Sequence, residues 1–280
     1  MKLKKDRMCG QISSVILKAL VIFSSILTFA VLAFLVGFIL FKGIGYLKPS
    51  LFAWEYTSEN VSLVPAAVNT LIMVGITLLI AVPLGVCAAI FLVEYSAKGS
   101  KIVGIIRMTA ETLSGIPSIV YGLFGMMFFT TVLGWGISIL SGAFTMVIMI
   151  LPLIMRTTEE ALKSVPDSYR EASFGLGAGK LRTIFKIVLP AAIPGILAGV
   201  ILATGRIVGE TAALMFTAGT VANIPSSLLG SGRTLALHMY VLSNEGLHMN
   251  EAYATAVVLL ILVVIINGLS STVAKKISKI

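Results

Sequence analysis

The stretch DSYREASFGLGAGKLRTIFKIVLP, residues 167–190, lies between two long apolar runs and mixes charged, small and aliphatic residues. Ser164-Val165-Pro166-Asp167 reads as a helix start, because proline is tolerated in a first turn and aspartate there is favoured by the helix dipole. A short helix over 167–176 follows, stopped by Gly177-Ala178-Gly179. Beyond it Leu181, Ile184, Phe185 and Val188 recur at i, i+3, i+4 and i+7, with Lys180, Arg182 and Lys186 on the other faces. That spacing predicts an amphipathic helix at a membrane surface, ending before Pro190, since proline disfavours helical geometry in the residue preceding it. The whole connection, residues 156–190, is about 35 residues long, far more than helix connections in a bundle need. It reads as a short helix held out by a glycine elbow, suited to pushing on a soluble partner or being pushed by one.

The flanking runs set the class. The chain has 280 residues, 58% hydrophobic and 12% charged, with mean hydropathy +1.03, whereas a soluble domain carries about 25% charged residues. Six stretches approach the ~20 apolar residues that a membrane helix needs: 19–41, 66–93, 108–133, 137–155, 191–218 and 252–273. The expected fold is an all-α polytopic membrane protein with six transmembrane helices. Residues 1–60 hold the N-terminal cytoplasmic segment, the first span and an external loop; residues 61–275 hold five further spans and the 156–190 loop. The first apolar run is too long for a secretory signal, and no A-x-A cleavage site follows. Pro83, Pro117 and Pro152 fall inside spans, where breaks or kinks are expected. Cys9 and Cys87 are too few for a disulfide framework.

Lysine and arginine number 21 and acidic residues 12, for a net charge of +9 and a pI of about 9.6. Seventeen of the 21 fall on the side of the two termini and the 156–190 loop; Lys42, Lys48 and Arg233 fall on the other, and Arg206 lies within a span. Positive residues near span ends stay cytoplasmic, so both termini and the long loop are expected in the cytoplasm. The excess is topogenic and meets anionic membrane lipid. It forms no clustered polar face of the kind nucleic acid requires. Tyr46, Trp54, Tyr56 and Trp135 fall at the opposite interface, as anchors.

Glu171-Ala172-Ser173, three residues to Gly177, then nine to Ile187, Leu189 and Pro190, resembles the EAA loop of permease subunits of ATP-binding-cassette importers; Ser173 stands where alanine is usual. The resemblance implies a MetI-like type I permease bundle in a bacterial or archaeal cytoplasmic membrane. It also implies that the short helix docks into an ATPase subunit and transmits its closure to the spans through Glu171, Ala172, Ser173, Gly177, Leu189 and Pro190. Ser114 to Gly122 (SGIPSIVYG), Asn69-Thr70-Leu71 and Gly205 to Thr211 (GRIVGET) together resemble phosphate-specific permeases, and Thr158 to Leu162 with Val165-Pro166 is similar to the PstA type. The similarity covers roughly residues 60–275. It implies a second homologous permease, two ATP-binding subunits that use ATP and magnesium, and an external phosphate-binding protein as partners.

Arg206 and Glu210 are intramembrane charges, which cost about 3 kcal/mol or more and mark a functional site by default. Four residues apart on one helix, they would share a face. Either they neutralise each other and fix packing, or Arg206 offers its planar fork to an oxyanion. In the second case Glu210 accepts a hydrogen bond from protonated phosphate that sulfate cannot give. Thr204 and Thr211 are candidate hydroxyl donors on this substrate path, and Gly205 and Gly209 suit close helix packing. Glu111, one turn after Arg107, suggests an interfacial pair. Gly230-Ser231-Gly232-Arg233-Thr234 could cradle an anion on backbone amides, but reads better as a flexible turn. His238 and His248 lack metal-site spacing and read as solvated loop histidines.

The run Gly175 to Lys180 is no phosphate-binding loop: the glycine spacing is wrong and Leu181 stands where a hydroxyl is needed. The chain is therefore expected to bind no cofactor or metal, and any ATP-driven role requires a separate hydrolysing subunit. No G-x-S-x-G elbow occurs. Sulfate, molybdate or another oxyanion remains an alternative cargo, and an autonomous secondary anion transporter an alternative class.

Overall fold

The computed structural model describes residues 2–97 and 99–277, with side chains described for 16–97 and 99–272; of the basic residues counted above, the side chains of Lys2, Lys4, Lys5, Arg7, Lys98, Lys275, Lys276 and Lys279 fall outside that set. Every regular element among the described residues is helical. Helix α1 (Lys2–Gly43) leads through short 3-10 turns to α2 (Val64–Ile90), which widens into a π turn at Phe91–Tyr95. Next come α3 (Lys101–Ser114), α4 (Ser118–Gly125, extended by a π turn, Met126–Val132) and α5 (Ile139–Lys163). The long loop supplies α6 (Asp167–Gly175) and α7 (Lys180–Thr183), joined by a π turn at Ile184–Val188 to α8 (Leu189–Gly209). Then follow α9 (Ala212–Thr217), α10 (Leu235–Glu245) and α11 (Met249–Ile277).

Among the described residues five helical stretches are long and apolar enough to cross a membrane: Ile16–Tyr46, Val64–Tyr95, Ile139–Lys163, Lys180–Gly209 and Met249–Thr272. The expected third span, 108–133, is instead two helices, α3 and α4, meeting at 101°. Pro117 lacks an amide donor and steers Ile116 out of helical geometry. The Tyr121 hydroxyl donates to the Leu113 carbonyl at 2.7 Å, satisfying an acceptor near the α3 terminus. Pro83 and Pro152, in contrast, lie inside continuous α2 and α5.

Helix α5 is the axis of the bundle. Its Met146, Ile150 and Ile154 are fully buried against Met73 and Ala81 of α2 and Ala203 and Ile207 of α8. Gly85 lets α2 approach closely, because a Cβ there would come 2.7 Å from Ile154; small residues at such crossings are what membrane helix packing selects. A second cluster, including Ile90, Leu162, Ile184 and Val188, closes the end that carries α6. A third, with Leu51, Leu63 and Leu235, closes the opposite end. Helix α1 meets α11 near its C-terminus, where Phe38 lies edge-on to Tyr253 at 6.0 Å. Its apolar residues from Ile16 to Val36 are exposed.

The expected end of a helix before Pro190 is not observed. Helical structure runs unbroken from Lys180 to Gly209. The wider turn at Ile184–Val188 accommodates the ring of Pro190 and its missing donor, the local remedy available to membrane helices. The expected apolar face is split as well: Ile184 and Val188 are buried, whereas Leu181 and Phe185 are exposed.

Candidate coupling loop and substrate site

Helix α6 ends in a Schellman motif. The Ala178 amide donates to Ser173 O at 3.1 Å and the Gly177 amide to Phe174 O at 2.9 Å. Gly177 sits at φ +79° with open space where a Cβ would stand, so its backbone angle, not crowding, requires glycine. Ser173 is buried, with its hydroxyl 2.8 Å from that of Thr183; this pair ties α6 to α7 and gives the serine a structural reason. Glu171 and Ala172 are exposed beside Tyr169, Phe174 and Leu176, so the loop presents a mixed apolar and acidic surface outward. Leu189 is partly buried and Pro190 exposed at the start of α8.

Both arms of the loop are clamped to the π turn that ends α2. Arg170 of α6 donates from Nε (3.0 Å) and Nη2 (2.8 Å) to Glu94 Oε1, and it also caps the carbonyls of Leu162 and Val165. Lys180 of α7 lies 4.8 Å above the ring of Tyr95. Sequence reasoning counted Arg170 only as a topogenic charge. The missed signal was Glu94, a lone carboxylate at the end of an apolar run.

The same end carries a closed set of ion pairs. Glu159 takes Arg107 and Lys163, each at 2.6 Å, and Arg156 joins Glu160 at 3.2 Å and Glu111 at 3.8 Å. The expected Arg107–Glu111 pair is thus replaced by partners on α5. These six residues line a cleft of about 210 Å³.

The substrate residues are arranged differently from the helical expectation. Helix α8 stops at Gly209, Glu210 is extended (φ −73°, ψ 131°), and α9 starts at Ala212. The break removes the i, i+4 face, so Arg206 and Glu210 do not pair. Glu210, 9% exposed, instead caps α9 by accepting the Ala213 amide at 3.1 Å on Oε1. Arg206, in the last turn of α8, has no carboxylate within ion-pair distance among the described residues. Nothing lies within 4 Å of a Cβ built on Gly205 or Gly209, so packing within this chain does not explain them. Thr204 donates to Val200 O at 2.8 Å and is already committed. Thr211 is half-buried at the break, with only a 3.5 Å contact to Gly209 O.

At the opposite end, the Gly230–Thr234 segment is a tied turn. Its Gly230, Gly232 and Arg233 amides donate to Ser227, Ala218 and Val221 carbonyls, which leaves no amide cradle. Asn69 donates to the carbonyls of Asn223 and Arg233, and Thr70 accepts the Leu235 amide. Two expectations need correction here. His238 is fully buried rather than solvated, with burial first and the Arg233 charge second lowering its pKa to about 3. Tyr56, expected to serve only as an interface anchor, also packs its ring under the Arg233 guanidinium at 4.8 Å. His248 stays partly exposed, 3.8 Å from Glu251.

A family model described as a binding-protein-dependent transport system inner membrane component matches residues 81–279. The chain belongs to that family. This binding-protein-dependent permease is 38% identical over 215 residues to the probable ABC transporter permease protein YqgI of Bacillus subtilis, covering 71% of the chain and 73% of the relative. It is 36% identical over 205 residues to the phosphate transport system permease protein PstA 1 of Mycobacterium tuberculosis, covering 72% and 67%. Among solved structures, an inward-facing MetNI methionine ABC transporter aligns with a TM-score of 0.62 at 22% identity, over 77% of this chain and 95% of that one. A bacterial alginate ABC transporter aligns at 0.62 and 16% identity, over 90% and 96%. These two likenesses establish the MetI-like permease fold. The permease is a multi-pass membrane transport component.

Proposed function

We infer that the chain is one permease subunit of an ATP-driven importer of inorganic phosphate in a bacterial or archaeal cytoplasmic membrane. The observation that carries this reading is Arg206, a cation in the last turn of α8 without a carboxylate partner among the described residues, on a chain whose relatives include phosphate permeases. A guanidinium keeps its charge when desolvated and matches two oxygens of phosphate at once. Thr211 stands five residues further on, at the α8–α9 break. Glu210 commits one oxygen to Ala213, leaving the other to accept a proton-bearing phosphate oxygen. Residues 61–275 form the permease core, with the 156–190 loop and both termini in the cytoplasm.

Glu171 and its neighbours on α6 dock an ATPase subunit, and two such subunits supply the ATP and magnesium chemistry. A second homologous permease completes the path, its open side being the face of Gly205 and Gly209. An external phosphate-binding protein delivers the cargo.

Reconstitution in liposomes tests the reading. Phosphate uptake should require ATP, the binding protein and both permeases, and Glu210→Gln, which keeps the cap acceptor, should narrow the preference for phosphate over sulfate. Uptake by this chain alone without ATP, or preferred uptake of sulfate or molybdate by the unaltered complex, would overturn it.

A further inference from the structure

Arg233 is 4% exposed, and its Nε and Nη2 are buried without a hydrogen-bond partner among the described residues. Arginine cannot relieve this by losing its proton. The Tyr56 ring at 4.8 Å offers a cation–π contact, but a ring face supplies no hydrogen-bond acceptor for the buried guanidinium N–H groups. No carboxylate lies within ion-pair distance of Arg233 among the described residues, and Glu55, next to Tyr56, is exposed. The neighbouring His238 ring supplies no negative charge.

Nε and Nη2 form one edge of the guanidinium fork, the edge that takes two oxyanion oxygens at once. Thr234 Oγ1, the next residue's hydroxyl, and Asn69 Oδ1, whose amide nitrogen is tied to Arg233 O, are likewise buried and unpartnered. With the neutral His238 ring, whose two nitrogens are likewise buried and unpartnered, these groups supply a fixed positive charge, a hydroxyl donor and acceptors on Asn69 and His238, a set that suits a tetrahedral oxyanion still carrying a proton. Tyr56, which covers the guanidinium, also lines an open cleft of about 330 Å³ with Trp54, Pro65 and Asn223. Its segment carries backbone strain: Val61, a β-branched residue, sits at φ +47°.

We propose that Arg233, Thr234 and Asn69 form a second oxyanion site, covered by Tyr56, that cargo occupies before it reaches Arg206. The order of the two sites rests on the functional reading, which places this end of the bundle outside; the site itself does not.

The test uses the complete complex of both permeases and both ATPase subunits, without nucleotide or binding protein, in phospholipid-free maltoside micelles. Binding of radiolabelled inorganic phosphate is measured by equilibrium dialysis. Tyr56→Ala should raise phosphate affinity about tenfold. Adding Arg233→Gln should remove that gain, adding Thr234→Val, which alters one hydroxyl only, should reduce it about threefold, and adding Arg206→Gln should leave it in place. No gain from Tyr56→Ala, or a gain that survives both Arg233→Gln and Thr234→Val, overturns the site. Stronger competition by short-chain phosphatidic acid than by phosphate overturns the transit role and assigns the cluster to lipid head groups. ATP-driven uptake is scored separately. Uptake without the Tyr56→Ala gain removes the site and keeps the transport reading; the gain without uptake does the reverse.

Discussion

The two ends of the bundle treat charge in opposite ways. Around the 156–190 loop the cations at the ends of α3, α5 and α6 meet anions: Arg170 with Glu94, Arg107 and Lys163 with Glu159, Arg156 with Glu111 and Glu160. Along α8 and at the far end, Arg206 and Arg233 have no such partner among the described residues, and Arg233 is buried. A closed pair fixes geometry, and where it is exposed it contributes at most about 1 kcal/mol. A buried lone guanidinium is costly in every state in which nothing joins it. Matched charges therefore suit the part that must hold its shape against a moving partner, and unmatched ones suit the part that receives an anion and releases it.

The sharpest way to break this contrast is Arg206→Gln. A charge-assisted contact supplies about 1.5–3 kcal/mol, so ATP-driven phosphate uptake should fall roughly 10- to 100-fold while the complex still elutes intact. Unchanged uptake would make Arg206 as structural as the pairs. Glu94→Gln addresses the other side. Removing one partner of a mostly buried pair costs about 3 kcal/mol, so thermal stability and the ratio of phosphate imported to ATP hydrolysed should both drop, and Glu94→Arg with Arg170→Glu should restore part of each. A full ratio in Glu94→Gln would mean that α6 does not act through α2.

Gly177→Ala should cost about 1–2 kcal/mol through its left-handed backbone, read as reduced co-purification of the ATPase, with Gly177→Asn milder. Equal losses in the two variants would point to a clash with the docked subunit instead.

The smallest effect concerns acid. His238 stays neutral in the fold down to about pH 3, whereas an unfolded histidine gains its proton near 6.5. Its contribution is complete above pH 6.5 and shrinks as pH falls toward 3, by up to about 1.4 kcal/mol per unit. Melting of the wild-type complex between pH 7.5 and 5.5 should therefore shift further than that of His238→Gln; equal shifts would relieve Arg233 of its part in holding the ring neutral.

What the sequence disclosed depended on whether the cause was local. Apolar length marked the spans, and Asp167, Pro166 and Gly177 bounded α6 within a residue of its observed ends, because caps and stops act on their own turn. Pro117 announced the break between α3 and α4 for the same reason. The break at Glu210 had no proline to announce it: residues 205–218 read as one apolar helix, and only the carboxylate folding back onto the Ala213 amide marks the new start. Pro190 misled in the other direction, since a π turn absorbed it. The contacts of Arg170 with Glu94, 76 residues away, and of Arg233 with Tyr56 depend on tertiary folding, and no periodicity encodes them.

The unbroken helix from Lys180 to Gly209 gives that folding a mechanical meaning. At 1.5 Å per residue, Arg206 stands about 39 Å from the elbow at Lys180. A rigid rod of that length, tilted by about 5° at the elbow, sweeps its far end by about 3 Å, roughly one hydrogen-bond length. The rod ends at Gly209, three residues beyond Arg206, and α9 begins separately at Ala212. On the proposed function, Arg206 rides at the tip of a crank, and a small turn at a docked ATPase would suffice to make or break its grip.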